Sequence, residues 1–450
     1  MNVQPRQLAD QAKKSAAASF VGGVMEFYDF FIYGAAAALV FGKLFFPTLD
    51  PVAGTLAAFA TFGIAFLVRP LGAVIFGHIG DKYGRKRMLV LTLWVMGSAT
   101  FLMGILPSYA EVGILAPILL VLLRLVQGMA AGGELGGAAA LAVENAPPKR
   151  RGFFGAFSTA GTNAGTALGS FIFAMTVMMP TEQFLQWGWR IPFLASIVVL
   201  LVGFMVRRAV AEPEDFVKER TKEERRQGKL PILEVFKKYP SAILISLFVF
   251  AAQNVAFYLV TVYSLTFAKG VSIDANQYLL QALTVATLSN VVAMIVWGAL
   301  SDRFGRKPIL VIGLILQTVF LVTFYASIQT VNSFVMTLAM IAVLNFGQAA
   351  IVGVVPAYYS EMFETRVRVT GISVGMQLGA LAGGFTPFVA AWIVAQGGSW
   401  QILVAISAVF SAIAVIAVVR SSNVKHEIGI APLPPVHRTI VPVNQPSLGE

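Results

Sequence analysis

The sequence predicts an all-α polytopic membrane protein, with twelve transmembrane helices arranged as two similar six-helix bundles. Three observations carry that reading. First, the 450 residues are 57% hydrophobic and only 12% charged, with a mean hydropathy of +0.77; a soluble domain carries about 25% charged residues. Second, apolar runs of roughly 20 residues recur along nearly the whole chain, the length that crosses a bilayer core as a helix. Third, Gly77-His78-Ile79-Gly80-Asp81-Lys82-Tyr83-Gly84-Arg85-Lys86 returns 221 positions later as Gly298-Ala299-Leu300-Ser301-Asp302-Arg303-Phe304-Gly305-Arg306-Lys307. Each copy joins two apolar runs, so the chain reads as an internal duplication whose halves point the same way across the membrane. A β-barrel would need alternating segments of about ten residues, which are absent.

A cytoplasmic N-terminal segment, 1–16, precedes the first span. Span 17–42 carries Glu26 and Asp29 and ends on no small-residue cleavage site, so it is read as retained. Span 54–77 runs into the first basic turn and 88–106 leaves it. Span 114–143 precedes Glu144, Arg150, Arg151 and Gly152. Span 152–178 holds Gly161, Gly165 and Gly169 on one helical face, suited to close approach of a neighbour. Span 190–208 closes an N-terminal bundle over 17–208. The stretch 209–239 mixes both charge signs and is too polar to cross; it reads as a cytoplasmic loop, either a surface helix or a solvated linker. Spans 240–268, 278–300, 308–327, 332–357, 369–396 and 399–419 form the second bundle, 240–419. Its fourth member is followed by Glu361, Arg366, Arg368 and Gly371, a second paired mark in the same order. The Pro-rich stretch 420–450 reads as a disordered cytoplasmic tail.

The net charge is +11. Lys43, Arg190 and Lys269 lie in or beside the opposite loops and Arg69 and Arg124 inside spans; the remainder of the 33 Lys and Arg fall in the tails and alternate loops. That asymmetry puts both termini in the cytoplasm and accounts for the basic balance without nucleic acid. There are no cysteines, and no metal cluster, phosphate-cradling loop or catalytic constellation is visible; the chain reads as no enzyme, with no cofactor.

Ionisable groups inside a bilayer are costly and face a cavity or one another. Five candidates, Glu26, Asp29, Arg69, Arg124 and Glu134, all lie in the first half. Spans of the second half offer amides and phenols instead, among them Gln253, Asn254, Tyr258, Asn290, Gln317, Asn345, Gln348 and Gln377. Glu26, Asp29 and Tyr33 share one helical face, with Phe30 beside them. Arg69 has three readings: a pair with Glu26, a pair with Glu134, or a hold on a cargo carboxylate.

The paired Gly-x-x-x-Asp-x-x-Gly-Arg-Lys loops resemble those of the major facilitator superfamily. Glu26-Phe27-Tyr28-Asp29-Phe30-Phe31-Ile32-Tyr33-Gly34, Arg69-Pro70-Leu71-Gly72, Arg124-Leu125-Val126-Gln127-Gly128, Gly132-Gly133-Glu134 and Trp187-Gly188-Trp189-Arg190-Ile191-Pro192-Phe193 are similar to its metabolite:proton symporter branch. The likeness spans roughly residues 15–420. It implies alternating access in the cell (inner or cytoplasmic) membrane, as a monomer, importing a small organic acid such as shikimate or 2-oxoglutarate together with protons. A zwitterionic compatible solute such as proline or betaine, sodium in place of protons, and an uncoupled facilitator or exporter stay open. In the resemblance Asp29, Arg124, Glu26 and Glu134 couple protons, Asp29 being paired with Arg124 when ionised. Tyr33, Arg69, Arg124, Asn163, Gln253, Asn254, Tyr258, Gln348 and Gln377 contact cargo. Asp81, Arg85, Lys86, Asp302, Arg306 and Lys307 gate the cytoplasmic side. Drug antiporters of the superfamily place Gly-Pro in the fifth span; here that span has no proline, which argues against efflux.

Overall fold

A computed structural model describes residues 5–83, 85–132, 142–144, 146–209, 231–364 and 367–421. Twelve membrane-length helices run through these residues. Helix α1 is Pro5–Ala36, continuing through Ala37–Phe41 into Gly42–Phe45; α2 is Pro51–Tyr83, α3 Arg85–Gly104, α4 Leu115–Gly132, α5 Arg151–Val177 and α6 Ile191–Ala209. In the second half α7 is Pro240–Tyr258 extended by Leu259–Tyr263 and Ser264–Val271, and α8 is Ile273–Phe304. Helix α9 is Arg306–Ile328, and α10 is Ser333–Ile341 followed by Ala342–Gln348 and Ala349–Val352. Helix α11 is Arg368–Ala395 and α12 Trp400–Arg420. Ten of these segments are long and apolar enough to cross a membrane by composition, and Val90–Gly104 is a shorter apolar stretch. The exception, α5, is diluted by Gly, Ser, Thr and Asn, and its glycines explain why. A Cβ on Gly161 would lie 2.0 Å from Phe20 O, and one on Gly165 2.1 Å from Val24 O. Small residues there let the α1 and α5 backbones touch.

Some observed helices outrun the predicted spans, as backbone hydrogen bonding continues past the apolar core, whereas α10 stops at Val352, short of the predicted 357. The first begins at Pro5, inside the stretch read as an N-terminal segment, and Pro231–Lys238 forms a short helix at the end of the central loop. Most of that loop and the tail from 422 lie outside the described residues.

The halves meet along two seams, α2 against α11 and α5 against α8. These are equivalent pairs in a two-fold arrangement of six-helix units. On α2–α11 the contact is tight: a Cβ on Gly63 would meet Phe385 at 2.8 Å, and one on Gly384 would meet Phe66 at 2.3 Å.

Three segments are π-helical: Ala37–Phe41, Leu259–Tyr263 and Ala342–Gln348. A wider turn frees backbone carbonyls, and each segment gives one to a side chain from another helix. Leu39 O accepts from Lys269 Nζ at 3.2 Å, Leu259 O from Tyr325 Oη at 2.9 Å, and Asn345 O from Trp297 Nε1 at 2.8 Å. The first two segments occupy matching positions in α1 and α7. Each lies against the other's helix: Gly34, just before the first, approaches Val262 of the second, and Lys269, beyond the second, reaches Leu39 of the first.

Candidate functional site

The buried charges of the first half converge between α1, α2 and α4. Glu26, Asp29, Arg69 and Arg124 are at most 4% exposed. Arg69 Nη2 donates to Glu26 Oε1 at 3.3 Å, one of the three readings of Arg69. Its guanidinium carbon also stands 4.3 Å from the Phe30 ring centre and 4.4 Å from that of Phe66. Arg69 thus has one carboxylate and two ring faces, the combination that makes a buried guanidinium tolerable.

Arg124 is held differently. The pairing expected with Asp29 is not its direct contact: Nη1 donates to Gln127 Oε1 at 2.5 Å and Nη2 to Phe62 O at 3.5 Å. Its guanidinium carbon lies 4.0, 4.6 and 5.0 Å from the ring centres of Tyr33, Phe30 and Phe62. Gln127 stands between the charges. Its Nε2 donates to Thr100 Oγ1 at 2.7 Å, and the Asp29 carboxylate faces both Thr100 and Gln127. The Nε–H groups of Arg69 and Arg124 are buried without an acceptor. Gln127 was quoted in the sequence motif but given no role; its position three residues after Arg124 puts both on one helical face and is the signal that was available.

Tyr33 donates to Thr61 Oγ1 at 2.6 Å while its ring supports Arg124. From the second half, Tyr258 reaches the cluster: its ring centre is 5.4 Å from Phe62 and 5.9 Å from Phe66. Gln253 and Asn254 are buried about one turn away on α7, with Asn254 Nδ2 bonded to Phe250 O at 2.8 Å. Asn163 lies apart, on the α5–α8 seam, against Met294. Gln348 Oε1 accepts from Asn290 Nδ2 at 2.9 Å. Gln377 is buried on α11, with no described contact to the arginines. Glu134 and the side chains of Asp81, Arg85 and Lys86 lie outside the described residues.

The second copy of the repeated loop is described in full. Asp302 accepts from the backbone N–H of Gly152 and Phe153 at 2.8 and 2.9 Å. A carboxylate from one half therefore sits on the N-terminus of α5 in the other, where the helix dipole favours an anion. Arg306 holds Asp302 at 2.8 Å and Glu361 at 3.2 Å. Arg368 reaches Glu144 across the seam at 2.7 Å. Lys307 Nζ donates to Ser421 O at 2.5 Å.

The profile described as Major Facilitator Superfamily matches residues 19–280 and 256–446. The shikimate transporter of Escherichia coli (strain K12) is 40% identical over 396 residues, 87% of this chain and 90% of that protein. The proline/betaine transporter of Salmonella typhimurium is 34% identical over 393 residues, 85% and 78% of the two chains. Among solved structures, the proton:xylose symporter XylE bound to 6-bromo-6-deoxy-D-glucose superposes with a TM-score of 0.69 at 17% identity, over 91% of this chain and 95% of that one. With the duplicated loop, the two seams and the twelve helices, these matches establish that the chain belongs to the Major Facilitator Superfamily, a family of membrane transporters and not of enzymes.

Proposed function

We propose that the chain is a proton-coupled symporter of the bacterial inner membrane, with both termini cytoplasmic, importing a small organic acid by alternating access. The observation that carries the reading is Arg124. It is 0% exposed, its hydrogen-bond partners among the described residues are neutral, and one N–H lacks an acceptor. A buried guanidinium held this way has unused capacity for a carboxylate. The similarity to a shikimate transporter supports an organic-acid cargo.

Asp29 supplies the proton site. Ionised, it balances Arg124 through Gln127. Protonated, it withdraws that balance, and the arginine's attraction for an anion rises, so proton and anion enter together. Glu26, fixed to Arg69, sets the neighbouring charge; Glu134 is assigned to the same group by the sequence motif. Asp302, Arg306 and Lys307 close the cytoplasmic side, and Asp81, Arg85 and Lys86 are assigned the equivalent part by the repeat.

Purified protein in liposomes tests this. An imposed inward proton gradient is expected to drive accumulation of organic acids, and a sodium gradient alone is not. Asp29→Asn should lose gradient-driven accumulation and keep counterflow exchange. Uphill uptake by that variant would refute the assignment.

A second reading, a zwitterionic solute, is favoured by the rings of Phe30, Tyr33, Phe62, Phe66 and Tyr258, which could hold a quaternary ammonium, and by the similarity to a proline/betaine transporter. The same liposomes with labelled glycine betaine separate the two.

A further inference from the structure

The two buried acids of α1 meet their arginines in unlike ways. Glu26 touches Arg69 directly, at 3.3 Å. Asp29 and Arg124 are joined through two neutral side chains, Thr100 of α3 and Gln127 of α4, each 0% exposed. Arg124 Nη1 donates to Gln127 Oε1 at 2.5 Å, and Gln127 Nε2 donates to Thr100 Oγ1 at 2.7 Å. The amide has only this orientation, because a guanidinium is all donors. The Thr100 hydroxyl has one hydrogen and two acceptors for it. One is Met96 O at 3.0 Å; the other is the Asp29 carboxylate that it faces.

The chain has a direction. With Asp29 ionised, the Thr100 hydrogen goes to the carboxylate, and every bond then runs from cation toward anion: Arg124 to Gln127, Gln127 to Thr100, Thr100 to Asp29. Bonds aligned in this way polarise one another where the dielectric is low, so Gln127 holds Arg124 most firmly while the far end is an anion. A proton on Asp29 removes that end. The carboxyl becomes a donor, the Thr100 hydrogen returns to Met96 O, and Thr100 accepts from Asp29 and Gln127 alike. Gln127 then holds Arg124 only as an ordinary amide does, and the guanidinium is freer to meet a carboxylate.

The other titratable groups around the pair do not span it. Beside Asp29 on α1 are Glu26, fixed to Arg69, and Tyr28, whose hydroxyl donates to Pro192 O at 2.6 Å. Tyr33, Arg69 and Tyr258 face Arg124 from α1, α2 and α7. Helix α3 has no charged residue after Arg87, α5 has only Arg151 at its first position, and the charges of α6 are Arg207 and Arg208 in its last turn.

We propose that Thr100 and Gln127 are positioning residues that carry the protonation state of Asp29 to Arg124, so that cargo affinity follows pH through a hydroxyl and an amide. This rests on the symport reading above and gives its coupling a physical route.

The test is counterflow in liposomes with equal pH on both sides, using labelled shikimate and, separately, labelled glycine betaine, and reading the half-saturating concentration. One linked proton changes affinity by up to about tenfold per pH unit. Over roughly pH 6–8 the parent's half-saturating concentration is expected to rise at least about tenfold for the cargo it carries. Thr100→Val keeps the shape and loses the hydroxyl; Gln127→Leu cuts both amide links. In each the rise should shrink below about threefold, and proton-driven accumulation should fall with it, whereas Thr100→Ser should restore the parent's rise. A purely structural role would lower Tm or transport rate and leave the pH dependence intact. The relay is overturned if Thr100→Val keeps the parent's rise, or if Thr100→Ser is as flat as Thr100→Val. Should Gln127→Leu not fold, the two Thr100 variants decide. A parent indifferent to pH that accumulates neither probe on a proton gradient overturns the symport reading itself; a pH-dependent parent with unchanged variants overturns the relay alone.

Discussion

Replacing Asp302 by Asn isolates the contact that joins the halves at the face bearing the chain ends. Asp302 accepts two backbone N–H bonds across the seam, at 2.8 and 2.9 Å, and an ion pair from Arg306. Hydrogen bonds to a charged acceptor contribute about 1.5–3 kcal/mol each, and a carboxylate at a helix N-terminus adds roughly 0.3–1 kcal/mol. Asparagine keeps one acceptor oxygen but loses the charge and turns an N–H₂ toward a donor. We expect the closed arrangement to lose about 2 kcal/mol, which raises the open-to-closed ratio about 30-fold. The chain has no cysteines, so one introduced thiol reports alone. Val352 suits this: it is 6% exposed, its carbonyl accepts from Thr159 across the seam, and it packs with Ala160 and Met294. Labelling of Val352→Cys by a water-soluble methanethiosulfonate should accelerate by about that factor in Asp302→Asn. A rate within twofold of the parent, in protein of unchanged thermal stability, would show that this capping contact does not hold the face shut.

Other consequences are independent of cargo. Glu26→Gln leaves Arg69 buried without its carboxylate and should cost about 3–5 kcal/mol, seen as lost yield or lowered Tm in detergent; adding Arg69→Met should recover most of it. Gly165→Ala forces a Cβ to within 2.1 Å of Val24 O and should destabilise by about 1–3 kcal/mol, whereas Gly270→Ala, with nothing within 4 Å, should leave Tm unchanged. Outside the membrane, Glu111 accepts from the Ser108 backbone N–H at 2.6 Å and its hydroxyl at 2.8 Å, which hold its carboxyl below the usual range. The sign follows: this cap is present above the ordinary carboxylate pKa and is lost as pH falls through the depressed one. Hydrogen exchange in residues 107–115, corrected for intrinsic rate, should therefore rise at acid pH in the parent and be already raised at neutral pH in Glu111→Ala.

Much of the fold was legible because lipid leaves a chain few choices. Long apolar runs must be helices, and two loops repeated in order expose a duplication that no single span reveals. Even α5, too polar for a hydropathy criterion, was read as span 152–178, and its glycines spaced four apart marked the face of close approach. The cluster was legible in membership and not in wiring. Glu26, Asp29, Arg69 and Arg124 stand out as charges among apolar neighbours, but which acid meets which arginine depends on helix rotations of a few tens of degrees. Gln127 was overlooked because a neutral amide carries no electrostatic alarm. The π segments had no sequence signal, since a widened turn is decided by what the neighbouring helix offers and not by its own residues.

Those widened turns have a mechanical consequence. Each inserts one residue into its rod, so everything beyond is rotated by about 100° relative to an unbroken helix. In α1 that rotation presents Phe41 and Phe45 to Trp189. Shortening the segment by one residue would swing those rings off the tryptophan and carry Lys43 to a different side. Because α7 has the same offset at its matching position, the duplicated halves remain in phase only while both keep it.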